Sequence, residues 1–377
     1  MNESALIGIT GEEWLHPERA DAIEQMLRDG GWLSHEERIE SVTRAGQGNM
    51  NLTLRVQSSL GTRIVKQARP WVERYPQIAA PVERADFERR FYEFVQRDRV
   101  LSEKMPRLLG AIPERYVLLL EDLGSAAECS CLYPGATRSQ GDAESNAALL
   151  VAAEAERLVE ELVPWLARLH RLPLNTTEPS QFRNEGLCKL NHQHIFLIPF
   201  ADPPRLDLDA ITPGLAAEAK RLREDHGLVR QSQRLGDIYL EPGPCLLHGD
   251  FYPGSWLLSA SGVKVIDPEF CKCGIPEFDL GVMAAHLTLI DSTRDWLSEI
   301  AKRYGELAGG GATEQESAPQ RVPAPRAVDW PLAQKFCGVE IIRRLLGVAQ
   351  LPLQASLAQK RHLLQIAQAA MLGPGVR

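Results

Sequence analysis

Two acidic motifs that lie close together in the chain carry the clearest chemical signal of the sequence. The first is His248-Gly249-Asp250, and the second is Asp267-Pro268-Glu269, which follows the strand-like run 263–266. Phosphoryl transfer needs one carboxylate to orient and deprotonate the attacking hydroxyl, and others to hold Mg²⁺ on the phosphates. Taken singly, the first motif also fits a turn capped by aspartate, and acidic residues after a strand are common. The order and spacing of both motifs favour phosphoryl transfer, with Asp250 as the base and Asp267 and Glu269 as metal ligands.

A second set of candidate residues lies nearer the N-terminus, in a region with the pattern of β-strands. The turn Gly46-Gln47-Gly48-Asn49-Met50-Asn51 stands between two predicted strands, so its backbone N–H groups are suited to cover the phosphates of ATP. A plain β-hairpin is the alternative, and the strand that follows excludes a dinucleotide-binding fingerprint. Lys66 ends the third strand and is suited to pair with phosphates, or to lie solvated at a strand edge. Glu88 on the next helix is the best carboxylate to orient it, and Glu93 is the alternative.

The elements that must position these groups follow from the hydrophobic periodicity. In the first part of the chain it predicts helices over 20–28 and 83–96, strands over 39–45, 52–56, 63–66 and 116–120, and a hinge over 121–124. At this hinge Glu121 and Leu123 offer backbone groups to adenine. Beyond it the pattern predicts helices over 147–171 (interrupted near Pro164), 215–229, 278–289, 332–350 and 355–372, with an exposed loop over 308–326. We therefore predict an α+β fold, with a small β-rich N-lobe over residues 1–123 and a larger helical C-lobe over 124–377.

Composition narrows the class of protein. The chain has 377 residues, with 50 acidic against 42 basic side chains and a formal charge of −8, which argues against a dedicated nucleic-acid binder. No apolar run approaches the ~20 residues of a membrane helix, and the acidic N-terminus does not resemble a signal peptide. The seven cysteines show no disulfide spacing, and the two Cys-x-Cys pairs are interpreted as ordinary thiols. These features predict a cytoplasmic enzyme with no membrane or nucleic-acid partner.

The motifs resemble those of the protein-kinase-like small-molecule phosphotransferases, which include aminoglycoside, choline and methylthioribose kinases. Among these, the chain is most similar to the methylthioribose kinases over about residues 40 to 350. The resemblance rests on a set of matching segments: His-Gly-Asp-x-x-x-Gly-Ser at 248–255, Asp-Pro-Glu-Phe at 267–270, Phe-Asp-Leu-Gly at 278–281, Gly-x-Gly-Asn-x-Asn-Leu at 46–52, Val-Lys-Gln-Ala at 65–68, Leu-Cys-Lys at 187–189 with 196–200, and Ile-Arg-Arg at 342–344.

The resemblance implies a two-lobed kinase fold, the use of ATP and Mg²⁺, a small sugar-like acceptor and a possible homodimer. It also implies roles for particular residues. Ser255 stands where the wider group has a metal-binding asparagine. Arg343 and Arg344 match a pair that reaches substrate oxygens. Since adjacent helix positions are about 100° apart, we expect one of them to point to the acceptor and the other to a neighbouring element.

Two departures from the family pattern flank the acceptor site. Tyr252 and Pro253 replace the usual histidine and threonine, and the segment 271–277 replaces an aromatic and glycine-rich turn. The identity of the acceptor therefore stays open between a sugar-like metabolite such as 5-methylthioribose and an amino alcohol or aminoglycoside. A nucleotide-binding pseudoenzyme is the rival from another class, although a binding module has no need of the base Asp250.

Overall fold

The N-terminal unit is built on an antiparallel sheet. The computed structural model describes residues 14–46, 50–136, 144–309, 327–351 and 353–373, and its contacts divide the chain into Met1–Ser125 and Ala126–Arg377. The strands of the first unit are β1 (Ile39–Arg44), β2 (Leu52–Ser58), β3 (Gly61–Gln67), β4 (Trp71–Val72), β5 (Tyr75–Ala79), β6 (Leu108–Ile112) and β7 (Val117–Glu121). Five of them form a sheet of order β1-β2-β3-β7-β6, while β4 and β5 pair separately.

Alternating apolar residues explain this sheet. Leu52, Leu54 and Val56 of β2 are fully buried, together with Val65 of β3, and they pack beneath helix α1 (Ala20–Asp29). Helices α2 (Arg84–Val95) and α3 (Arg99–Ser102) complete the unit. The predicted helices and strands of this region are confirmed. Strand β6 and the β4–β5 hairpin were not predicted, because they are short and their apolar residues show no clear alternation.

The second unit is predominantly helical. Its helices are α4 (Glu144–Leu169), α5 (Glu178–Gln181), α6 (Glu185–His192), α7 (Leu208–Ile211), α8 (Leu215–Glu224), α9 (His226–Leu240), α10 (Pro276–Ile290), α11 (Trp296–Gly309), α12 (Trp330–Leu346) and α13 (Leu357–Leu372). Its strands are β8 (Ala127–Glu128), β9 (Cys245–Leu247), β10 (Trp256–Ser259), β11 (Gly262–Val265) and β12 (Lys272–Gly274). They form two small sheets, of order β11-β10-β8 and β12-β9. Every residue of α10 is buried, so this apolar helix forms the centre of the unit.

Two helix predictions in this unit are wrong in detail. Helix α4 runs through Pro164 without interruption, because fully buried neighbours such as Val163 and Leu166 hold the turns on both sides of the proline. The single helix expected over 215–229 is two helices, which meet at Asp225. Its side chain accepts a hydrogen bond from the backbone N–H of Leu228 (3.0 Å) and so begins α9. Most of the loop expected over 308–326 lies outside the described residues.

Two further observations concern the cysteines and possible membrane-spanning helices. All seven cysteines are free thiols. Among the described helices, none is both long and apolar enough to cross a membrane.

Candidate active site

The loop that carries Asp250 depends on a glycine. It directly follows β9, and Gly249 has a φ of +86°, in the left-handed region that glycine adopts at little cost. A Cβ atom on this residue would lie 2.1 Å from the carbonyl oxygen of Phe270. The glycine therefore allows the loop of Asp250 to approach the segment that carries Glu269.

Asp279, in the first turn of α10, binds the backbone of this loop. Its Oδ2 atom accepts the backbone N–H of His248 (2.8 Å), and its Oδ1 atom accepts the N–H of Gly249 (3.0 Å). The carboxylate is fully buried, and His170 Nε2 lies 3.3 Å from Oδ2. Hydrogen bonds to an ionised acceptor are stronger than neutral ones, so Asp279 fixes the backbone next to Asp250.

The Asp250 loop and the second acidic motif are tied together. The Nε2 atom of His248 lies 3.0 Å from the carbonyl oxygen of Ile266, and the backbone N–H of Ile266 donates to the carbonyl of Ser255 (3.0 Å). Ile266 immediately precedes Asp267, which has a φ of +60° and begins a tight turn over 268–270. The two motifs therefore belong to one site.

Asn184 supports the Glu269 side of the site. It is buried, and its Nδ2 atom donates to the carbonyl oxygens of Glu269 (2.8 Å) and Cys271 (2.9 Å). Asn184 lies more than 80 positions away from both residues in sequence, and no motif of the sequence singled it out. Only the tertiary structure, which brings the residue before α6 next to this segment, gives Asn184 its role.

The acidic groups of the site repel one another, which fits a bound cation. Burial raises the pKa of Asp250 and of Glu128, and in each case the nearby negative charge of Asp267 acts in the same direction. No cluster of three or more His, Cys, Asp or Glu among the described residues would hold a metal alone. Mg²⁺ does not need one, because it usually binds through one or two carboxylates together with substrate phosphates.

Ser255, the predicted helper in metal binding, is almost completely buried. Its hydroxyl donates to the carbonyl oxygen of Asp250 (2.9 Å), and its backbone N–H donates to the carbonyl of Tyr252 (2.7 Å). The hydroxyl therefore stabilises the loop of Asp250. A role of Ser255 in metal binding stays a prediction.

The two arginines of α12 both reach Asp250. Arg344 Nη2 lies 3.4 Å from Asp250 Oδ1, and Arg343 Nη1 lies 3.9 Å from the same atom. Our expectation that the two would point to different neighbours is wrong. Glu340, one turn earlier on the helix, pairs with Arg344 through Nε (2.6 Å) and with Arg343 through Nη1 (3.1 Å). This shared partner draws both long side chains to one side of the helix.

In the N-terminal unit, Lys66 and Glu88 form a buried ion pair. The Nζ atom of Lys66 lies 2.7 Å from one carboxylate oxygen of Glu88 and 2.8 Å from the other. Glu93, the other candidate partner, is half exposed and pairs with Arg89 instead. Burial of this pair fixes the ammonium group at the end of β3.

The remaining candidates for nucleotide binding lie around the glycine turn and at the end of β7. Gly46 has a φ of +71°, while Gly48 and Asn49 lie outside the described residues. The side-chain oxygen of Asn51 accepts from Arg84 Nε (2.8 Å), so Arg84 fixes the side chain of Asn51. The carboxylate of Glu121 accepts from the backbone N–H of Arg107 (3.1 Å), and Leu123 follows two residues later. The nucleotide-binding roles of all these residues stay predictions.

The sequence reasoning assigned no role to four residues of the site: Glu128, Asn184, Asp279 and Glu340. A signal was available for Glu340, since a carboxylate three and four positions before two arginines predicts helical ion pairs. Asp279 was noted as part of a motif but without a function. For Glu128 and Asn184 the sequence contained no such signal.

Comparison with known proteins gives the family. Residues 41–319 match the model of the family described as "Phosphotransferase enzyme family". The chain is 30% identical to the methylthioribose kinase of Exiguobacterium sibiricum, over 93% of this chain and 91% of that protein. It is 26% identical to the methylthioribose kinase of Pectobacterium atrosepticum, over 93% and 92%.

A solved structure of choline kinase from Streptococcus pneumoniae is similar at 11% identity and a TM-score of 0.46, over 94% of this chain and 99% of that one. The family match spans most of the chain and includes nearly all of the main β-sheet, the Asp250 loop and the Asp267 motif. The chain therefore belongs to the phosphotransferase enzyme family, and it is a small-molecule kinase with an α+β fold.

Proposed function

We propose that the protein transfers the γ-phosphoryl group of ATP to a hydroxyl of a small sugar, and that this sugar is 5-methylthioribose or a close relative phosphorylated at its anomeric oxygen. The relatives named methylthioribose kinase support the choice of acceptor. The observation that carries the proposal is the carboxylate of Asp250 beside two buried guanidinium groups. A base and a fork of hydrogen-bond donors are what a hydroxylated acceptor requires.

Asp250 acts on the acceptor hydroxyl. Its carboxylate accepts the hydroxyl proton while the oxygen attacks the γ-phosphorus, so that the new O–P bond forms as the bond from phosphorus to the leaving ADP oxygen breaks. The raised pKa of Asp250 makes the carboxylate a stronger base. The positive charges of Arg344 and Arg343 act in the opposite direction and limit that rise of the pKa.

Asp267 and Glu269 would hold Mg²⁺, and Ser255 is a further candidate. When bound, the ion neutralises negative charge on the phosphates. Among this chain's own residues, Asn184 holds the backbone on either side of Phe270, and the hydrogen bond between Ile266 and Ser255 holds the start of the motif. The chain's own residues therefore hold the backbone of this loop in place.

The N-terminal unit would bind the nucleotide. Lys66, oriented by Glu88, pairs with the phosphates, and the turn with Gly46, Gly48, Asn49 and Asn51 covers them with backbone N–H groups. The backbone of Glu121 and Leu123 contacts adenine. We accordingly assign nucleotide binding to residues 1–123 and the catalytic, metal and acceptor groups to residues 124–377.

The rival function is phosphorylation of an aminoglycoside or an amino alcohol. Two arginines face Asp250, and a cationic acceptor placed beside them would meet like charges at a cost of several kcal/mol. Neutral vicinal hydroxyls instead suit the planar donors of a guanidinium. We therefore expect sugar acceptors to be preferred.

A panel of acceptors tests the proposal. ADP release from purified protein, ATP and Mg²⁺ is measured with 5-methylthioribose, ribose, choline and kanamycin, with Asp250→Asn as the control for turnover at this site. We expect turnover with 5-methylthioribose and none with kanamycin. In Arg343→Lys, which keeps the charge but loses the fork, the KM for the sugar should rise about tenfold, the factor for one lost hydrogen bond of about 1.4 kcal/mol. Efficient kanamycin phosphorylation would refute the proposed acceptor.

A further inference from the structure

A buried chain of polar side chains lies behind the two arginines of α12. Glu340 is 1% exposed, and one of its oxygens, Oε1, lies 2.6 Å from Arg344 Nε and 3.2 Å from His286 Nε2. Arg343 Nη1 lies 3.2 Å from Oε1 and 3.1 Å from Oε2. The Nδ1 atom of His286, on α10, is hydrogen-bonded to the hydroxyl of Tyr133. The chain thus runs from Tyr133 through His286 and Glu340 to both guanidinium groups.

The protonation states along this chain follow from its chemistry. Burial lowers the pKa of His286 to about 4, so its imidazole is neutral at pH 7 and carries a single N–H. Although burial opposes ionisation, the two arginines hold the pKa of Glu340 well below its usual range. An ionised carboxylate only accepts hydrogen bonds, so the proton of His286 lies on Nε2 and its Nδ1 accepts from Tyr133. Each link then has one donor and one acceptor.

Glu340 and two residues outside this chain, Asp250 and Tyr252, confine the guanidinium of Arg344 on three sides. Glu340 holds its Nε, Asp250 lies 3.4 Å from its Nη2, and the ring of Tyr252 lies against its face, with the ring centroid 4.6 Å from Cζ. The same tyrosine ring lies 5.2 Å from the ring of His286, centroid to centroid. The group therefore has little freedom to change its position relative to Asp250.

Arg343 is held differently, because one of its donors remains available. Its Nη1 is bound by Glu340, while its Nε is buried and has no hydrogen-bond partner within the part of the chain that the structure describes. A buried donor without an acceptor is costly, and such donors are few in native proteins. An oxygen of a bound acceptor molecule would satisfy it.

We propose that Glu340, fixed by His286 and Tyr133, is a positioning residue that holds the two guanidinium groups, so that Arg344 orients Asp250 and Arg343 keeps a donor available for the acceptor. The inference deepens the proposed function and rests on it. Without Glu340, two cations would face the single carboxylate of Asp250. A bidentate ion pair would then occupy that carboxylate and lower its basicity.

Glu340→Gln is the variant that tests this role, because it keeps the shape of the side chain and removes its charge. We expect kcat/KM for 5-methylthioribose to fall about 10²-fold, the typical effect of a displacement of about 1 Å in a reacting group. The KM for ATP should stay within about twofold. Glu218→Gln is the matched control, since Glu218 is also buried and also joins two arginines, Arg221 and Arg361 (2.7 Å to Nη2), between α8 and α13. It should leave both constants unchanged.

A double-mutant cycle separates positioning from a general loss of structure. If Glu340 acts through Arg344, the change Glu340→Gln should lower kcat/KM by a much smaller factor in an Arg344→Lys background than in the wild type. If the double variant instead loses kcat/KM by the product of the two single factors, the proposal is overturned. Tyr133→Phe removes only one hydroxyl group, at the end of the chain that is farthest from the arginines. It should lower kcat/KM several-fold while the protein still shows a cooperative melting transition.

An NMR measurement without any acceptor tests the positioning role of Glu340 separately from the proposed acceptor. In ¹⁵N-labelled protein, the Nε–H group of Arg344 should give a slowly exchanging signal, assigned by its loss in Arg344→Lys. Glu340→Gln should accelerate that exchange at least tenfold, and Glu218→Gln should not. If wild type leaves 5-methylthioribose unphosphorylated, the proposed acceptor is wrong, while this signal still tests the positioning role. An unchanged exchange rate in Glu340→Gln would overturn that role even in an active kinase.

Discussion

The change Asp279→Asn tests how the Asp250 loop is held in place. The carboxylate of Asp279 accepts two backbone N–H groups of the loop, at 2.8 Å and 3.0 Å, and His170 Nε2 at 3.3 Å. The two backbone donors bind different oxygens of the carboxylate and asparagine keeps only one of these oxygens, so one donor loses its acceptor. The amide NH₂ group of the asparagine then faces that donor.

The expected loss has two parts. One charge-assisted hydrogen bond, worth about 1.5–3 kcal/mol, becomes a neutral one, and a buried N–H without an acceptor costs about 1–3 kcal/mol. Together these give roughly 3 kcal/mol, which corresponds to a decrease in Tm of about 6–12 °C at the 2–4 °C per kcal/mol typical of domains of 150–250 residues. Because Asp250 follows directly, kcat should also fall about 10²-fold.

Differential scanning calorimetry and a coupled ADP assay measure the two effects. Asp209→Asn is the control, because Asp209 also accepts two backbone N–H groups, those of Gly214 (3.0 Å) and Ala216 (2.9 Å), but lies exposed where water can replace it. Its Tm should change by no more than about 1–2 °C. A variant Asp279→Asn with the Tm and the kcat of the wild type would show that the loop does not depend on this carboxylate.

Three further predictions concern the base, the metal and pH. Asp250→Asn should keep ATP binding while kcat falls about 10²–10⁴-fold, and turnover near that of the wild type would exclude Asp250 as the base. Asp267→Ala should raise the Mg²⁺ concentration needed for half-maximal turnover, and activity that persists in a chelator would contradict the metal site. Burial lowers the pKa of His286 from 6.5 to about 4, so protonation favours the unfolded state. Its contribution to stability is complete above pH 6.5 and falls by about 1.4 kcal/mol per pH unit as the pH decreases towards 4. The free energy of unfolding, measured with urea at pH 7 and pH 5.5, should show this loss in the wild type and a smaller one in His286→Asn. An equal loss in both proteins would contradict the prediction.

Local patterns in the sequence were sufficient for several long helices and for four of the five strands of the main sheet, whereas α11 and most of the short elements were not predicted. Alternation in β2 and the 3.6-residue period of α2 depend on which face of one element is buried, and neighbouring residues carry that information. The break at Asp225 was also readable in principle, since aspartate caps helices. The continuous course of α4 through Pro164 was not, because packing around the helix overrides the local preference of proline.

Part of the candidate site, too, was predictable from sequence, and part required the structure. Asp250, Asp267 and Lys66 were predicted from sequence, because phosphoryl transfer uses these residue types and their order along the chain resembles that of the family. The convergence of both arginines on Asp250 and the chain from Glu340 to His286 and Tyr133 required the structure. The residues of that chain come from segments up to about 200 positions apart. The packing of α10 against α12 brings His286 to Glu340, and the segment that follows β8 brings Tyr133 to His286. The sequence thus determines which groups can do chemistry, whereas the tertiary structure decides which groups hold them, because a buried polar contact depends on the whole core around it.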